Sequence, residues 1–493
     1  MKLIYGVNDK PKFGQVIVFA IQQLLAIMAA TLVVPVIING NVSNMIANGD
    51  LAWKLDTPMS STVALFGAGI GTLVYLLFTK FRSPVFLGSS FAFLGSMTAA
   101  FAGASSMALG YLGLILGAIF AGLVYVIIAI IVKFAGVNWI NKLMPAVVIG
   151  PTVTIIGLSL AGNAIGDLTK GNVTAEVVNN VAKISEAGIP YIEQETSSVM
   201  LCSPLIALVC GLVTLAVTII CSVYGKKMLR LIPFIIGILS GYAVSVVFTL
   251  IGNAAGIDAL KVINFSSFEA LVANGVSIET FITLPEFTFL NALGGFKEIN
   301  GAYIATVAVA YVPVAFVVFA EHIADHKNIS TIIEHDLLED PGLHRTLLGD
   351  GVGSMAGAIF GGCPNTTYGE SVGCVAITGN ASIITIVTTA FAAIAISFIS
   401  PFVAFVNSIP SCVMGGVCMA LYGFIAVSGL KMVQKVDLEH NANLFTVSAI
   451  LIAGIGGLTL TFGQVSITSI ATALILGILV NLMVNKSRST KSE

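Results

Sequence analysis

The sequence predicts an all-α polytopic membrane protein with fourteen transmembrane segments arranged as a seven-plus-seven inverted repeat. Three observations carry this. The 493 residues are 57% hydrophobic and only 9% charged, with a mean hydropathy of +1.00, whereas a soluble surface needs about 25% charged residues. Apolar runs long enough to cross a bilayer, about 20 residues each, recur from end to end. Lysine and arginine are divided unevenly between alternate loops, as the positive-inside rule requires.

The apolar runs place the segments near 14–38, 61–79, 86–104, 107–133, 143–164, 200–223, 232–252, 302–322, 347–362, 368–380, 381–406, 410–430, 443–461 and 466–486. The third, ninth and tenth are marginal in hydropathy. The longest polar inserts are 39–60, 165–199 and 253–301. The N-terminal stretch MKLIYGVNDKPKFGQ has no short apolar core with a small-residue cleavage site, so the first span itself is expected to direct insertion. With both termini in the cytoplasm, 17 of the 22 Lys and Arg residues fall on the cytoplasmic side. An even number of spans is required for that result.

Dividing fourteen spans into two sevens turns the second copy upside down, about a two-fold axis in the membrane plane. Corresponding segments should then share their defects, and they do. The third contains Phe86-Leu87-Gly88-Ser89-Ser90-Phe91-Ala92-Phe93, and the tenth opens on Pro364-Asn365-Thr366-Thr367-Tyr368-Gly369-Glu370-Ser371-Val372-Gly373. Such backbone is tolerated at membrane depth only where protein packs around it or where it lines a cavity. Paired broken segments therefore point to a binding site near mid-membrane; the competing reading is a pair of tight loops at the membrane surface.

Charges near the spans are few, and each costs at least about 2.5–3.5 kcal/mol to insert. Glu370 lies in the tenth segment. Glu321 closes the apolar run AYIATVAVAYVPVAFVVFA and opens Glu321-His322-Ile323-Ala324-Asp325-His326-Lys327. If that helix continues, Glu321 and Asp325 share a face, with His322 and His326 as a second pair beside them. Hydropathy alone favours the other reading, a helix end entering the cytoplasm at Lys327. Two carboxylate acceptors on facing segments suit a small, neutral, NH-bearing ligand.

The remaining signals are structural. Gly67-Ala68-Gly69-Ile70-Gly71 reads as close helix packing rather than a nucleotide loop. Trp53 and Trp139 read as interfacial anchors, and Asp336, Glu339 and Asp340 as a solvated turn. Seven cysteines in or beside apolar runs, with no C-x-x-C pair, read as small packing residues. A net charge of −2 gives nucleic acid nothing to bind. No metal-spaced cluster stands out beyond the His322/Asp325/His326 group, so no metal or cofactor is expected.

Several pieces in order along the chain resemble the bacterial members of the nucleobase–ascorbate (nucleobase:cation symporter-2) transporter family that carry uracil. They are Gln22-Gln23-Leu24-Leu25-Ala26-Ile27, Ala30-Thr31-Leu32-Val33-Val34-Pro35-Val36, Leu87-Gly88-Ser89-Ser90-Phe91-Ala92-Phe93, Ala320-Glu321-His322, Asp340-Pro341-Gly342-Leu343-His344-Arg345 and Pro364-Asn365-Thr366-Thr367-Tyr368-Gly369-Glu370. The resemblance implies a core domain of segments 1–4 and 8–11 (14–133 and 302–407). It also implies a gate domain of segments 5–7 and 12–14 (143–260 and 410–487), with short strands in segments 3 and 10.

It further implies that Glu321 and Glu370 accept hydrogen bonds from the base, that Phe91 packs on its ring, that the Tyr368–Gly369 backbone meets its carbonyls, and that Ala30 lines the pocket. It places Glu321 inside the membrane. Three positions depart from the family pattern: Ser371 where the signature block has Asn, Gln22-Gln23 where Gln-His is common, and Asp325 where uracil carriers of the best-known type have His.

The expected function is proton-coupled import of uracil across the bacterial inner membrane. Xanthine or another purine base is the alternative that Asp325 and Thr378-Gly379 suggest, and an anion transporter of the same architecture is a remote one. A carboxylate in a water-poor pocket holds a proton more readily, so Glu321, with Asp325 one turn away, is expected to carry the coupling proton. The bilayer is the other partner, and a homodimer is an expectation taken from the family.

Overall fold

The computed structural model describes residues 3–136, 145–184, 190–226, 228–273, 275–462 and 465–489. Long apolar helices dominate: α1 Phe13–Ala47, α2 Ser61–Phe78, α3 Leu94–Ala102 and α4 Met107–Ala135, with strand β1 Leu87–Ser89 between α2 and α3. Next come α5 Ala146–Ser159, α6 Ala161–Asp167, a hairpin of β2 Thr174–Ile184 and β3 Pro190–Met200, then α7 Pro204–Tyr224 and α8 Pro233–Ala255. The second half holds α9 Gly301–Ile333, α10 Leu343–Gly361, β4 Asn365–Thr367, α11 Gly369–Thr378, α12 Ile383–Ile396 and α13 Ser400–Ser408. It closes with α14 Ser411–Val433, α15 Asn441–Ile455 and α16 Ser469–Ser489.

Counting α5 and α6 together as the run Ala146–Asp167, eight of the described helices are long and apolar enough to cross a membrane by themselves, and four shorter ones are apolar. The chain is a multi-pass integral membrane protein. The expected fourteen spans are not confirmed by helix length: the third and tenth segments are part strand and part short helix, and α10, the ninth, is not among the eight. The eleventh expected span, 381–406, is two helices separated at Ser397–Ile399. Pro401 explains the restart: proline is favoured in the first turn of a helix, where its missing N–H has no partner to lose. The eighth runs eleven residues past the expected boundary at 322, so the helix does not end at Glu321.

Caps fix the starts. Ser60 accepts from the Val63 amide, Ser106 from Leu109, and Asn300 from Tyr303, at 3.4, 3.2 and 2.9 Å, as serine and asparagine N-caps do. Gly362, at φ +73°, closes α10 in the left-handed region and turns the chain into β4; glycine takes that conformation without steric cost.

The helices pack in two groups. In one, α2 and α4 lie against α10, α9 against α4, and α12 against α1 and α2. In the other, α5 packs on α14 and α15, α7 on α8 and α14, and α15 on α16. The small-residue run in α2 meets α10 backbone to backbone: a Cβ on Gly67 would collide with the Gly357 carbonyl, and one on Gly71 would lie 2.7 Å from the Gly353 carbonyl. Close packing is thus the role of that run.

Trp53 donates to the Ala104 carbonyl at 2.9 Å and packs on Phe101; Trp139 lies outside the described residues. All seven cysteines are free and buried. Asp340 is exposed and paired with Arg82 and His335, which holds its carboxyl below the ordinary carboxylate range, chiefly through the Arg82 hydrogen bond.

Candidate functional site

The two interrupted segments meet. β1 and β4 pair antiparallel, Leu87 with Thr367, Gly88 with Thr366 and Ser89 with Asn365. The ladder is extended by Ser90 N donating to the Pro364 carbonyl at 2.9 Å and by Tyr368 N donating to Phe86 at 3.2 Å. Three residues a side make a weak sheet in isolation, so side chains hold it. Thr72 of α2 accepts from the Leu87 amide at 2.9 Å. Ser354 of α10 accepts from the Asn365 amide at 2.9 Å, and Asn365 donates to the Gly67 carbonyl at 3.2 Å. Tyr368 lies across Gly88, where any Cβ would strike its ring, and donates to the Ser89 carbonyl at 2.6 Å.

Ser371, the departure from the signature block, is central to this support. Its hydroxyl accepts from the Phe86 amide at 2.9 Å and from Gln23 Nε2 at 2.5 Å. It thereby ties α1, the third segment and α11 together, and a serine oxygen suffices for that task. Gln23, where histidine is common, is its buried partner.

Beside this sheet is a cavity of about 450 Å³, within the range that holds small-molecule ligands. Ser90, Phe91, Thr366, Thr367, Tyr368, Gly369 and Glu370 line it from the paired segments, and Glu321, Asp325 and Asn328 from α9. Val153 and Ile156 of α5, Phe234 of α8, and Leu421, Phe424 and Ser428 of α14 face them from the other helix group. The N-terminal turn of α11 borders the space, where a helix dipole favours negative charge.

Six of the seven residues singled out in the sequence therefore share one cavity: Phe91, Glu321, Asp325, Tyr368, Gly369 and Glu370. Ala30 does not line it; it is buried within α1. Glu321 and Asp325 do share a face of α9, and Thr367 donates to Asp325 Oδ2 at 2.9 Å. Among the described residues neither Glu321 nor Glu370 has a hydrogen-bonding side-chain partner, and the cavity lining contains no Lys or Arg. Phe91 stands edge-on to Tyr422 with ring centroids 6.2 Å apart.

Asp350 was missed. It sits inside α10, 1% exposed, with Oδ2 2.7 Å from His322 Nδ1. His322 Nε2 lies 3.0 Å from Thr346 Oγ1. His326 stacks on His322 with centroids 4.0 Å apart and contacts Tyr75 at 2.7 Å. This buried network locks α9 to α2 and α10 behind the two carboxylates. The signal was a lone aspartate in the Gly-rich ninth segment, at Gly349-Asp350-Gly351.

Comparison with known proteins settles the family. The model of the Permease family (Xan_ur_permease) matches residues 14–192 and 179–463, nearly the whole chain. The chain belongs to this family of nucleobase–ascorbate permeases. The permease is 33% identical over 498 residues to the uracil permease of Bacillus subtilis (strain 168), covering 100% of this chain and 98% of that one. It is 35% identical over 486 residues to that of Bacillus caldolyticus (98% and 95%), and 33% identical over 480 to that of Escherichia coli (strain K12; 97% and 93%).

Its fold is similar to the transmembrane domain of the cyanobacterial bicarbonate transporter BicA, with a TM-score of 0.57 at 13% identity, covering 97% of this chain and 99% of that one. It is also similar to the murine Solute Carrier 26 family member A9 anion transporter, with a TM-score of 0.60 at 11% identity, covering 97% and 70%. At such identities the likeness is one of fold alone.

Proposed function

We propose that this permease imports uracil together with a proton across the bacterial inner membrane, with both termini in the cytoplasm. The observation that carries the reading is the pair of carboxylates, Glu321 and Glu370, that line one cavity without a hydrogen-bonding side chain of the protein to occupy them. Uracil presents two N–H donors, and a carboxylate accepts through either oxygen. A ligand lacking one N–H would leave a buried acceptor unpaired, a loss of about 1–3 kcal/mol. Phe91 offers a ring face, and the chain at Tyr368–Gly369 offers backbone to the carbonyl edge. The full-length similarity to three uracil permeases supports the same substrate.

In this reading Glu321, assisted by Asp325, takes up the coupling proton from outside, and the neutralised site accepts the base. The group of α1–α4 and α9–α13 then moves as a core against a gate of α5–α8 and α14–α16, exposing the cavity to the cytoplasm, where base and proton leave. The cavity wall supports this division, since residues of both groups line it. An inorganic anion, which fold likeness alone would suggest, meets carboxylates rather than cations here.

The test is uptake of labelled uracil into cells lacking their own carrier, with proton and sodium gradients imposed separately. Glu321→Gln is expected to abolish accumulation driven by the pH gradient, and undiminished accumulation removes Glu321 from the mechanism. Competition by xanthine, uric acid and adenine tests the base: inhibition by xanthine stronger than by unlabelled uracil assigns the site to purines.

A further inference from the structure

The insert between α8 and α9 reads as polar in the sequence, yet residues 276–284 are two-faced in an unexpected sense. Val276, Ile278, Phe281, Ile282 and Leu284 point outward and are 56–76% exposed. Ser277, Glu279, Thr280 and Thr283, of which Thr280 alone is buried and the other three are exposed, line an open cavity of about 350 Å³ with Ser400 and Asn407 of α13. Five large apolar side chains exposed within nine residues make a contiguous apolar surface, and such a surface marks an interaction site.

The segment is also anchored. It crosses the break between α12 and α13: Ile282 bridges Ile399, Thr283 N donates to the Phe398 carbonyl at 3.0 Å, and Ser400 N donates to Phe281 at 3.0 Å. Ser400 Oγ donates to the Glu279 carbonyl at 2.8 Å. The backbone groups freed by the helix break are thus paired by this strap, which backbone near the hydrocarbon requires.

We infer that residues 276–284 lie in the lipid leaflet at this end of the bundle, and that the cavity behind them holds the head group of a phospholipid bearing an ammonium. The apolar face continues the lipid-facing surface of the transmembrane helices, where Phe391 of α12 and Ile399 are likewise exposed. Amphipathic elements at an interface bury their apolar face toward the acyl chains in this way. Among the described residues, Glu279 is the one ionisable group lining the cavity, and Lys and Arg are absent from the lining. An ammonium therefore meets a carboxylate and several hydroxyls, while a purely anionic head group meets repulsion.

Two measurements on the full chain test this. The native cysteines are buried, so nitroxides can be placed at Phe281→Cys and Leu284→Cys in proteoliposomes, with Lys54→Cys as the aqueous reference and Leu250→Cys as the lipid reference. Both labels are expected to be more accessible to oxygen than to a water-soluble nickel chelate, as at Leu250. Accessibility like that at Lys54, or protection from both reagents by a second copy, overturns the insertion. Native mass spectrometry after exposure to equimolar phosphatidylethanolamine and phosphatidylglycerol reads the head group. Preferential retention of the ethanolamine lipid, reduced severalfold by Glu279→Gln, is expected; equal retention, or indifference to Gln, overturns the head-group assignment.

Discussion

Ser371→Ala tests how the paired segments hold the site. The hydroxyl accepts from the Phe86 amide at 2.9 Å and from Gln23 Nε2 at 2.5 Å, and Phe86, Gln23 and Ser371 are all buried. Removing the oxygen leaves the Phe86 N–H with no acceptor, at a cost of about 1–3 kcal/mol. Gln23 keeps a long contact to the Ser371 carbonyl at 3.4 Å, so its loss is partial. Since Ser371 follows Glu370 in the first turn of α11, the penalty falls on the bound geometry. At 1.4 kcal/mol per factor of ten, uracil affinity of purified protein should drop roughly five- to a hundredfold, while Glu370 itself remains. The assay is equilibrium binding of labelled uracil to wild type, Ser371→Ala, Gln23→Leu and the double variant. Gln23→Leu deletes one of the donors that Ser371→Ala strands, so the double variant should be less impaired than the product of the two singles, as contacting residues behave. Strictly multiplicative singles, or Ser371→Ala binding like wild type, would refute the linkage.

Other expectations follow from the same geometry. Gly67→Val forces a side chain into the α10 backbone, and the variant should be lost from the monodisperse peak in fluorescence-detected size exclusion, with Gly14→Val, which meets open space, as the control. Asp350→Ala leaves buried His322 Nδ1 without its partner and should cost about 1–3 kcal/mol, seen as a lowered unfolding temperature in detergent even without ligand. Tyr368→Phe removes the 2.6 Å bond to Ser89 and should weaken uracil binding by about tenfold, on the scale of one buried hydrogen bond. The Arg82–Asp340 pair lowers the folded carboxyl below its unfolded value. Its contribution is therefore complete above the ordinary carboxylate range and is lost as pH falls through the depressed value. The difference in melting temperature between wild type and Asp340→Asn should be small at neutral pH, shrink with salt, and vanish in strong acid.

Local pattern made much of this legible. Helical spacing puts Glu321 and Asp325 on one face, the glycine run in α2 announces close packing, and polar interruptions in two apolar segments point to a paired site, whereas the strands there are implied by the family resemblance alone. Features that hydropathy averages away were not legible. Charge along the chain makes Glu321 to Lys327 resemble a helix end, whereas α9 turns its histidines toward Asp350 and Tyr75 and its acids toward the cavity. The split at Ser397–Ile399 was hidden inside an apolar run, although Pro401 was there to be read. The strap at 276–284 alternates polar and apolar residues, so its mean hydropathy is unremarkable while its two faces differ. Resemblance alone points to Ala30, which is buried within α1 and is not among the residues that line the cavity.

Leu87 pairs with Thr367, so the first edge of the ladder leaves the ribosome long before its partner exists. Until β4 follows, the pairing groups of Leu87–Ser89 lack their partner strand, and Thr72 of α2 meets only the amide and carbonyl of Leu87 among them. The ladder is thus completed only from the second half of the chain, and a chain halted before β4 would lack the Thr366–Glu370 wall of the cavity.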